Sequence, residues 1–170
     1  TRDRYKVMLL STQYGLSTRT LAARLKIPEF EADEMLNQHH QQFSQYWAWS
    51  DDYIQHAMQT GIVQTAMGWD YHVGLVGVTN ERSLRNWPIQ SAGADILRIS
   101  CILAERHGIG LLGPVHDAVL IEAPIDRIEA DVALMREIMR RASRIVLNVS
   151  ADGTHELRTD ETIVRYPDRY

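Results

Sequence analysis

Residues 109–124 read IGLLGPVHDAVLIEAP: two apolar runs interrupted by a single polar pair, His116 and Asp117. Short apolar runs on either side of a two-residue break form the pattern of an antiparallel hairpin with the break as its turn. A carboxylate at the tip of two stiff apolar strands is held on a rigid platform and projected into a cleft. That is a useful placement for an oxygen ligand to Mg²⁺. Asp is also a common turn residue that often bonds only its own backbone, and the hairpin taken alone favours this plainer reading.

Outward from the hairpin, the pattern predicts a helix from about Ser91 to His107, stopped by Gly108, and another beginning at Asp126 with Ile128, Val132, Met135 and Met139 on its buried side. The closing stretch RIVLNVSADGTHELRTDETIVRY (144–166) predicts one or two further strands around Asp152 and Gly153. Upstream, GIVQTAMGWDYHVGLVGVTNERS (61–83) is rich in Gly and β-branched residues and has short-strand character. Before it the texture is helical. STRTLAARLKI (17–27) has Ser17 as cap, Leu21 and Leu25 on one face and Pro28 beyond its end; residues 29–61 form an acidic amphipathic helix or pair closed by Gly61. In that segment Phe43, Tyr46, Trp47 and Trp49 read as packing, and His39 and His40, whose side chains diverge on a helix, as surface histidines. Helices first, then strands interleaved with helices, predict an α+β fold: a helical subdomain on a small antiparallel sheet with flanking helices.

The length of 170 residues and 45% hydrophobic content suit one domain with a real core. No run approaches the roughly 18 apolar residues of a membrane span, and no basic start leads into an apolar signal segment, so a soluble, cytoplasmic protein is expected. Cys101 is the only cysteine, which excludes an intrachain disulfide and a thiolate cluster; it reads as a buried spectator. The net charge of −4 conceals a polarity: residues 1–28 carry six basic groups against one acid, whereas 29–61 carry six acids and no Lys or Arg.

That basic opening, TRDRYKVMLLSTQYG (1–15), has helical periodicity: Arg2, Lys6, Leu10 and Tyr14 drift along one face, while Tyr5, Met8, Leu9 and Thr12 form the other. Arg2 and Lys6 lie about 6 Å apart by the helical rise and can span neighbouring phosphates; Tyr14 lies about 18 Å from Arg2, near the base or sugar end of such a ligand. A further constellation is RSLRNWPIQSAGADI (82–96), in which Arg82, Asn86 and Gln90 recur every four residues. The residue before Pro is pushed away from helical angles, so a loop leading into the Ser91 helix is expected, with these side chains converging on phosphate, sugar and minor-groove acceptors. For each of the two, the plainer alternative is a solvated polar surface.

Taken together, Arg2, Lys6, Tyr14 and Gly15, then Arg82, Asn86 and Gln90, then His116 and Asp117 resemble the C-terminal part of a family A DNA polymerase, the bacterial DNA polymerase I class. LAARLKIPEFEADEML, the GIVQTAMGW turn and the order of elements also fit, with the last twenty or so residues fitting least. The resemblance implies that residues 1–60 are a fingers subdomain and 61–170 a partial palm carrying the metal-binding hairpin. It implies nucleotidyl transfer from a dNTP to the primer 3′-hydroxyl by two Mg²⁺ ions. Carried over residue by residue, Arg2, Lys6, Leu10 and Tyr14 would bind the nucleotide, with Lys6 also neutralising the leaving pyrophosphate; Gly15 would allow a tight turn. Arg82, Asn86, Gln90 and His116 would contact primer–template DNA, and Asp117 would be the catalytic metal ligand.

Two departures stand out. Leu10 occupies a position where the family usually has an aromatic residue facing the sugar, and Ala118 follows Asp117 where Glu is common. The family's second essential Asp comes from a strand preceding the nucleotide-binding helix, so the resemblance implies an incomplete polymerase domain partnered by a missing N-terminal part. The isolated chain is then expected to be inactive and to expose an unpaired sheet edge or apolar patch. A helix-turn-helix DNA-binding regulator is the main rival, from GLSTRTLAARLKIPEFEADEML (15–36), but its recognition helix would meet phosphates with acids. A metal-dependent nuclease built on His116 and Asp117 wants more clustered acids than the sequence provides.

Overall fold

Ser17 sets the start of helix α1 (Thr18–Leu25): its hydroxyl accepts the Thr20 N–H at 3.4 Å, and Lys26, in the left-handed region, ends the helix. This computed structural model describes residues 6, 8–9, 11–12, 15–74, 80–148 and 157–165. They divide into two units, Thr1–Gln64 with Asp70–Pro88, and Thr65–Trp69 with Ile89–Tyr170.

In the first unit, Leu21, Ala22 and Leu25 of α1 are buried with Ala32 of helix α2 (Glu29–Gln42), as the spacing predicts. The acidic segment is a pair of helices, broken at Phe43 and resumed as α3 (Ser44–Thr60). Gly61, at φ 70, closes α3 by donating its N–H to the Ala57 carbonyl at 3.0 Å, a left-handed cap that a side chain would oppose. His39 departs from its surface reading. It is only 5% exposed, because Trp47 donates its indole N–H to His39 Nδ1 at 3.3 Å, while exposed His40 stacks on the same indole at 3.9 Å. Trp47 is buried, whereas Phe43 and Trp49 are largely exposed.

Strands β1 (Ile62–Gln64) and β2 (Asp70–His72) pair antiparallel, Val63 opposite Tyr71, and realise the short-strand character of that region. Helix α4 (Glu81–Arg106) then corrects the expected loop before Ser91: it runs unbroken through Asn86, Trp87 and Pro88. An interior proline costs about 3 kcal/mol relative to Ala. Packing offsets that cost here. Asn80 Oδ1 accepts the Arg82 N–H at 3.0 Å at the helix start. Leu84, 1% exposed, is buried with Ile54, Ala57 and Val63. Trp87 packs on that cluster and lies 5.5 Å from the Tyr71 ring.

In the second unit, β3 (Gly110–Val115) pairs antiparallel with β4 (Ala118–Glu122), with a bulge between Leu111 and Gly113. Val119 and Ile121 pack against a core of Leu103, Ala104, Ile109, Met135 and Ile138; Ile96, Ala142 and Val146 form a second cluster. Helix α5 (Ile128–Leu147) supplies Met135, Ile138, Ala142 and Val146, so its buried side matches the predicted one around Met135. Cys101 is half-buried rather than fully buried, and desolvation pushes its thiol pKa up. Among the described residues, β3 and β4 have no neighbour but each other, and Leu112, Val115 and Leu120 are exposed.

The strands expected near the C-terminus are not found where the residues are described. The helix holds residues to Leu147, positions 149–156 with Asp152 and Gly153 lie outside the described residues, and 157–165 form no strand. That last segment is an extended strap along α5. The Leu157 N–H meets Ser143 Oγ at 3.3 Å, Glu161 pairs with Arg136 at 3.0 Å, and Arg165 pairs with Glu129 at 2.6 Å. Four extended residues rise about 13 Å and seven helical residues about 10 Å, so the register repeats along an antiparallel path. Thr159 and Ile163, on the same period-two face as these anchors, are half-buried.

Candidate active site

Val115 and Ala118 are the last paired residues of the hairpin, so His116 and Asp117 are its two-residue turn, as the sequence predicts. Both side chains are exposed at the tip. His116 has φ 56, a left-handed conformation that turn glycines favour and that costs a residue with a Cβ on the order of 1 kcal/mol. The paired strands therefore hold His116 in a conformation that costs a side-chain-bearing residue energy.

Arg82, Asn86 and Gln90 stand on the one continuous helix α4 and so share a face, drifting about 40° per step over a rise of about 12 Å. Arg82 and Gln90 are exposed and Asn86 half-buried, its amide donating to the Arg82 carbonyl at 2.9 Å. Lys6 is helical and exposed. Arg2, Leu10 and Tyr14 lie outside the described residues. The opening helix ends with the Gly15 and Leu16 N–H groups bonded to the Thr12 and Ser11 carbonyls, each at 2.9 Å. Gly15 has φ +64, a backbone conformation that favours glycine, and a Cβ there would stand 3.2 Å from the flexible Arg82 side chain at Cγ. Gly15, at the end of the opening helix, thus lies beside Arg82 within the first unit. Gln90, His116 and Asp117 belong to the second unit.

Asp117 is a lone carboxylate at its tip: Ala118 adds no oxygen, and among the described residues no three His, Cys, Asp or Glu side chains gather to hold a metal. The donor chemistry suits one oxygen ligand to Mg²⁺, and by themselves the described residues do not complete a magnesium site.

Sequence reasoning missed a buried acid. Asp95, 1% exposed on α4, accepts the Met67 N–H at 3.2 Å and Arg98 Nη1 at 2.6 Å. The Arg98 guanidinium lies over the Trp69 ring, 4.7 Å from its centroid. The i, i+3 spacing of Asp95 and Arg98 within SAGADILRIS was the available signal. Arg85 was also missed. It bonds Ser50 at 2.7 Å and Asp51 at 2.8 Å and lies over Trp47, tying α4 to α3 within the first unit.

The model for DNA polymerase family A matches residues 1–157, and the chain belongs to that family. Its similar relatives are bacterial DNA polymerase I proteins. It is 29% identical to the thermostable DNA polymerase I of Thermus aquaticus over 145 residues, 79% of this chain and 17% of that protein. It is 29% identical to DNA polymerase I of Geobacillus stearothermophilus over 164 residues, 89% of this chain and 19% of that one. Among solved structures it is similar to the POL domain of Pol1 from M. smegmatis in complex with DNA primer-template and dNTP, with a TM-score of 0.71 and 29% identity, covering 83% of this chain and 27% of that one. The chain thus spans less than a fifth of the length of these curated relatives. Among the described residues no helix is long and apolar enough to cross a membrane.

Proposed function

We propose that this chain is the nucleotide-gripping and metal-binding part of a template-directed DNA polymerase, which transfers a nucleotide from a dNTP to a primer 3′-hydroxyl. The observation that carries the reading is the family match across residues 1–157, a span that contains all three constellations. Residues 1–60 act as fingers and 61–170 as a partial palm. Arg2 and Lys6 hold the triphosphate, Leu10 and Tyr14 line the nucleotide pocket, and Arg82, Asn86, Gln90 and His116 contact primer–template DNA. Asp117 gives one oxygen to a Mg²⁺ site. Two such ions, when bound, stabilise the attacking and leaving oxygens.

In this reading the second carboxylate comes from a part of the polymerase outside this chain, and its strand docks beside the exposed Leu112, Val115 and Leu120 of the hairpin. The isolated chain then binds its ligands without extending primers. The test mixes the purified chain with primer-template, Mg²⁺ and dNTPs. Measurable binding without extension is expected, and Lys6→Ala weakens triphosphate binding. Processive extension by the chain alone overturns the inactivity, and triphosphate binding indifferent to Lys6→Ala removes Lys6 from the pocket. The helix-turn-helix rival is opposed by the acids Glu29 and Glu31 in the first turn of α2, where a recognition helix would meet phosphate.

A further inference from the structure

Trp69 is 59% exposed, although it sits in a segment held by a dense set of bonds. Thr65 Oγ1 accepts the N–H of both Met67, at 3.2 Å, and Trp69, at 3.1 Å. The Thr65 N–H meets the Trp69 carbonyl at 2.9 Å, and the Gly68 N–H meets the Thr65 carbonyl at 3.0 Å. Buried Asp95 binds this turn through Met67 and also holds Arg98, whose guanidinium covers one face of the indole. A ring has two faces. One lies under Arg98, and with the residue more than half exposed a large part of the indole stays in solvent. The fold thus places a carboxylate out of water to fix a turn whose largest apolar side chain is left more than half in water, an arrangement that gains little from burial of the ring.

A solvent-exposed indole, carried on a hydrogen-bonded turn and backed by a cation, matches the chemistry of an unstacked nucleobase, which stacks on aromatic rings regardless of its identity. We infer that Trp69 is a stacking platform for an unpaired base of the bound nucleic acid. The inference rests on the polymerase reading above and adds a contact that works by stacking, with neither charge nor base-edge hydrogen bonds.

The experiment uses the 170-residue chain and two fluorescent DNAs, a primer-template with a single-stranded template overhang and a blunt duplex of the same paired length, followed by anisotropy at fixed salt. Trp69→Ala should weaken overhang binding about 5- to 100-fold and leave blunt-duplex binding within twofold, while Trp69→Phe, which keeps a π-face, stays within about threefold of the parent. The salt dependence of overhang binding should keep its slope, since the ring neutralises no phosphate. Equal overhang binding by parent and Trp69→Ala overturns the platform and leaves the polymerase reading standing, as does an equal loss on both DNAs. A parent chain that binds neither DNA overturns both.

Discussion

Removing the Asp95 carboxylate tests whether the Thr65–Trp69 turn is held from the helix beneath it. Asp95→Ala removes two acceptor contacts, to Met67 N and to Arg98 Nη1. A bond to a charged group contributes about 1.5–3 kcal/mol in a buried setting, but neither reaches the upper value here. Arg98 is 46% exposed, so its freed guanidinium regains water and the pair is worth about 1 kcal/mol or less. The Met67 N–H keeps Thr65 Oγ1 as a second acceptor, so its loss costs about 1–1.5 kcal/mol. The small void left by a carboxylate trimmed to a methyl in a fully buried site adds roughly 0.5–1 kcal/mol. Together these give about 1.5–3.5 kcal/mol, whereas Asp95→Asn, which keeps an acceptor for Met67 and fills the volume, should cost about half as much. Urea unfolding followed by far-ultraviolet circular dichroism measures both. A loss under about 1 kcal/mol for Asp95→Ala, or a larger loss for Asn than for Ala, would refute the assignment of Asp95 as the anchor of the turn.

Pro88→Ala should stabilise the chain by about 1–2 kcal/mol, the interior-helix penalty of about 3 kcal/mol less the ring's packing and its restriction of the unfolded chain; a lowered thermal midpoint would contradict this. Burial first and the neighbouring His40 second hold the His39 pKa below its usual value, so below about pH 6.5 the unfolded chain binds more protons and stability falls until the folded-state pKa is passed. His39→Gln should flatten that part of the profile relative to the parent, and parallel urea midpoints for the two proteins from pH 7.5 to 5 would show the histidine is silent. In the C-terminal strap, Glu161→Gln with Arg165→Gln removes two half-exposed ion pairs worth about 0–1 kcal/mol each, so tryptic cleavage at Arg158 should quicken several-fold. Raising the salt to about 1 M should bring the parent toward the variant, and cleavage insensitive to both changes would count against the strap.

Much of the fold was legible where local rules agree with one another. Ser17, Leu21, Leu25 and Pro28 mark a capped amphipathic helix, and it lies where they place it. The two apolar runs around His116 and Asp117 could hardly be anything but a hairpin, since a helix would scatter those residues around its circumference. Tertiary packing decided the rest. Nothing local announces that Leu84 and Trp87 carry α4 back across Pro88, because the compensation lies on Ile54, Ala57 and Val63, well before them in sequence. His39 reads as a surface residue until Trp47, eight positions on, supplies the indole N–H that makes its burial tolerable. At the candidate site the residue types were legible, but the continuity of the helix bearing Arg82, Asn86 and Gln90 was not.

Local preference loses at positions spread along the chain, left-handed Lys26 and Asn148 and buried His39 among them, and four more share one segment. A proline inside a helix, a histidine in a left-handed turn, a carboxylate under a helix surface and an indole left in water are Pro88, His116, Asp95 and Trp69, all between residues 69 and 117. The proline, the left-handed histidine and the buried carboxylate each oppose stability by on the order of 1–3 kcal/mol unless a neighbour offsets them, and the exposed indole forgoes the gain of burial. For Pro88 and Asp95 the neighbours are visible, in the Leu84 cluster and in Met67 with Arg98. For His116 and Trp69 the fold supplies support without relief: paired strands enforce the turn, and a hydrogen-bonded loop holds the ring outward. Both side chains are presented to solvent by their surroundings and not by their own preference, which is what the stacking proposal for Trp69 requires of its platform. That segment also holds Arg82, Asn86, Gln90, His116 and Asp117, so its departures from local preference stand close in sequence to the motifs in which DNA contacts and a metal ligand were sought.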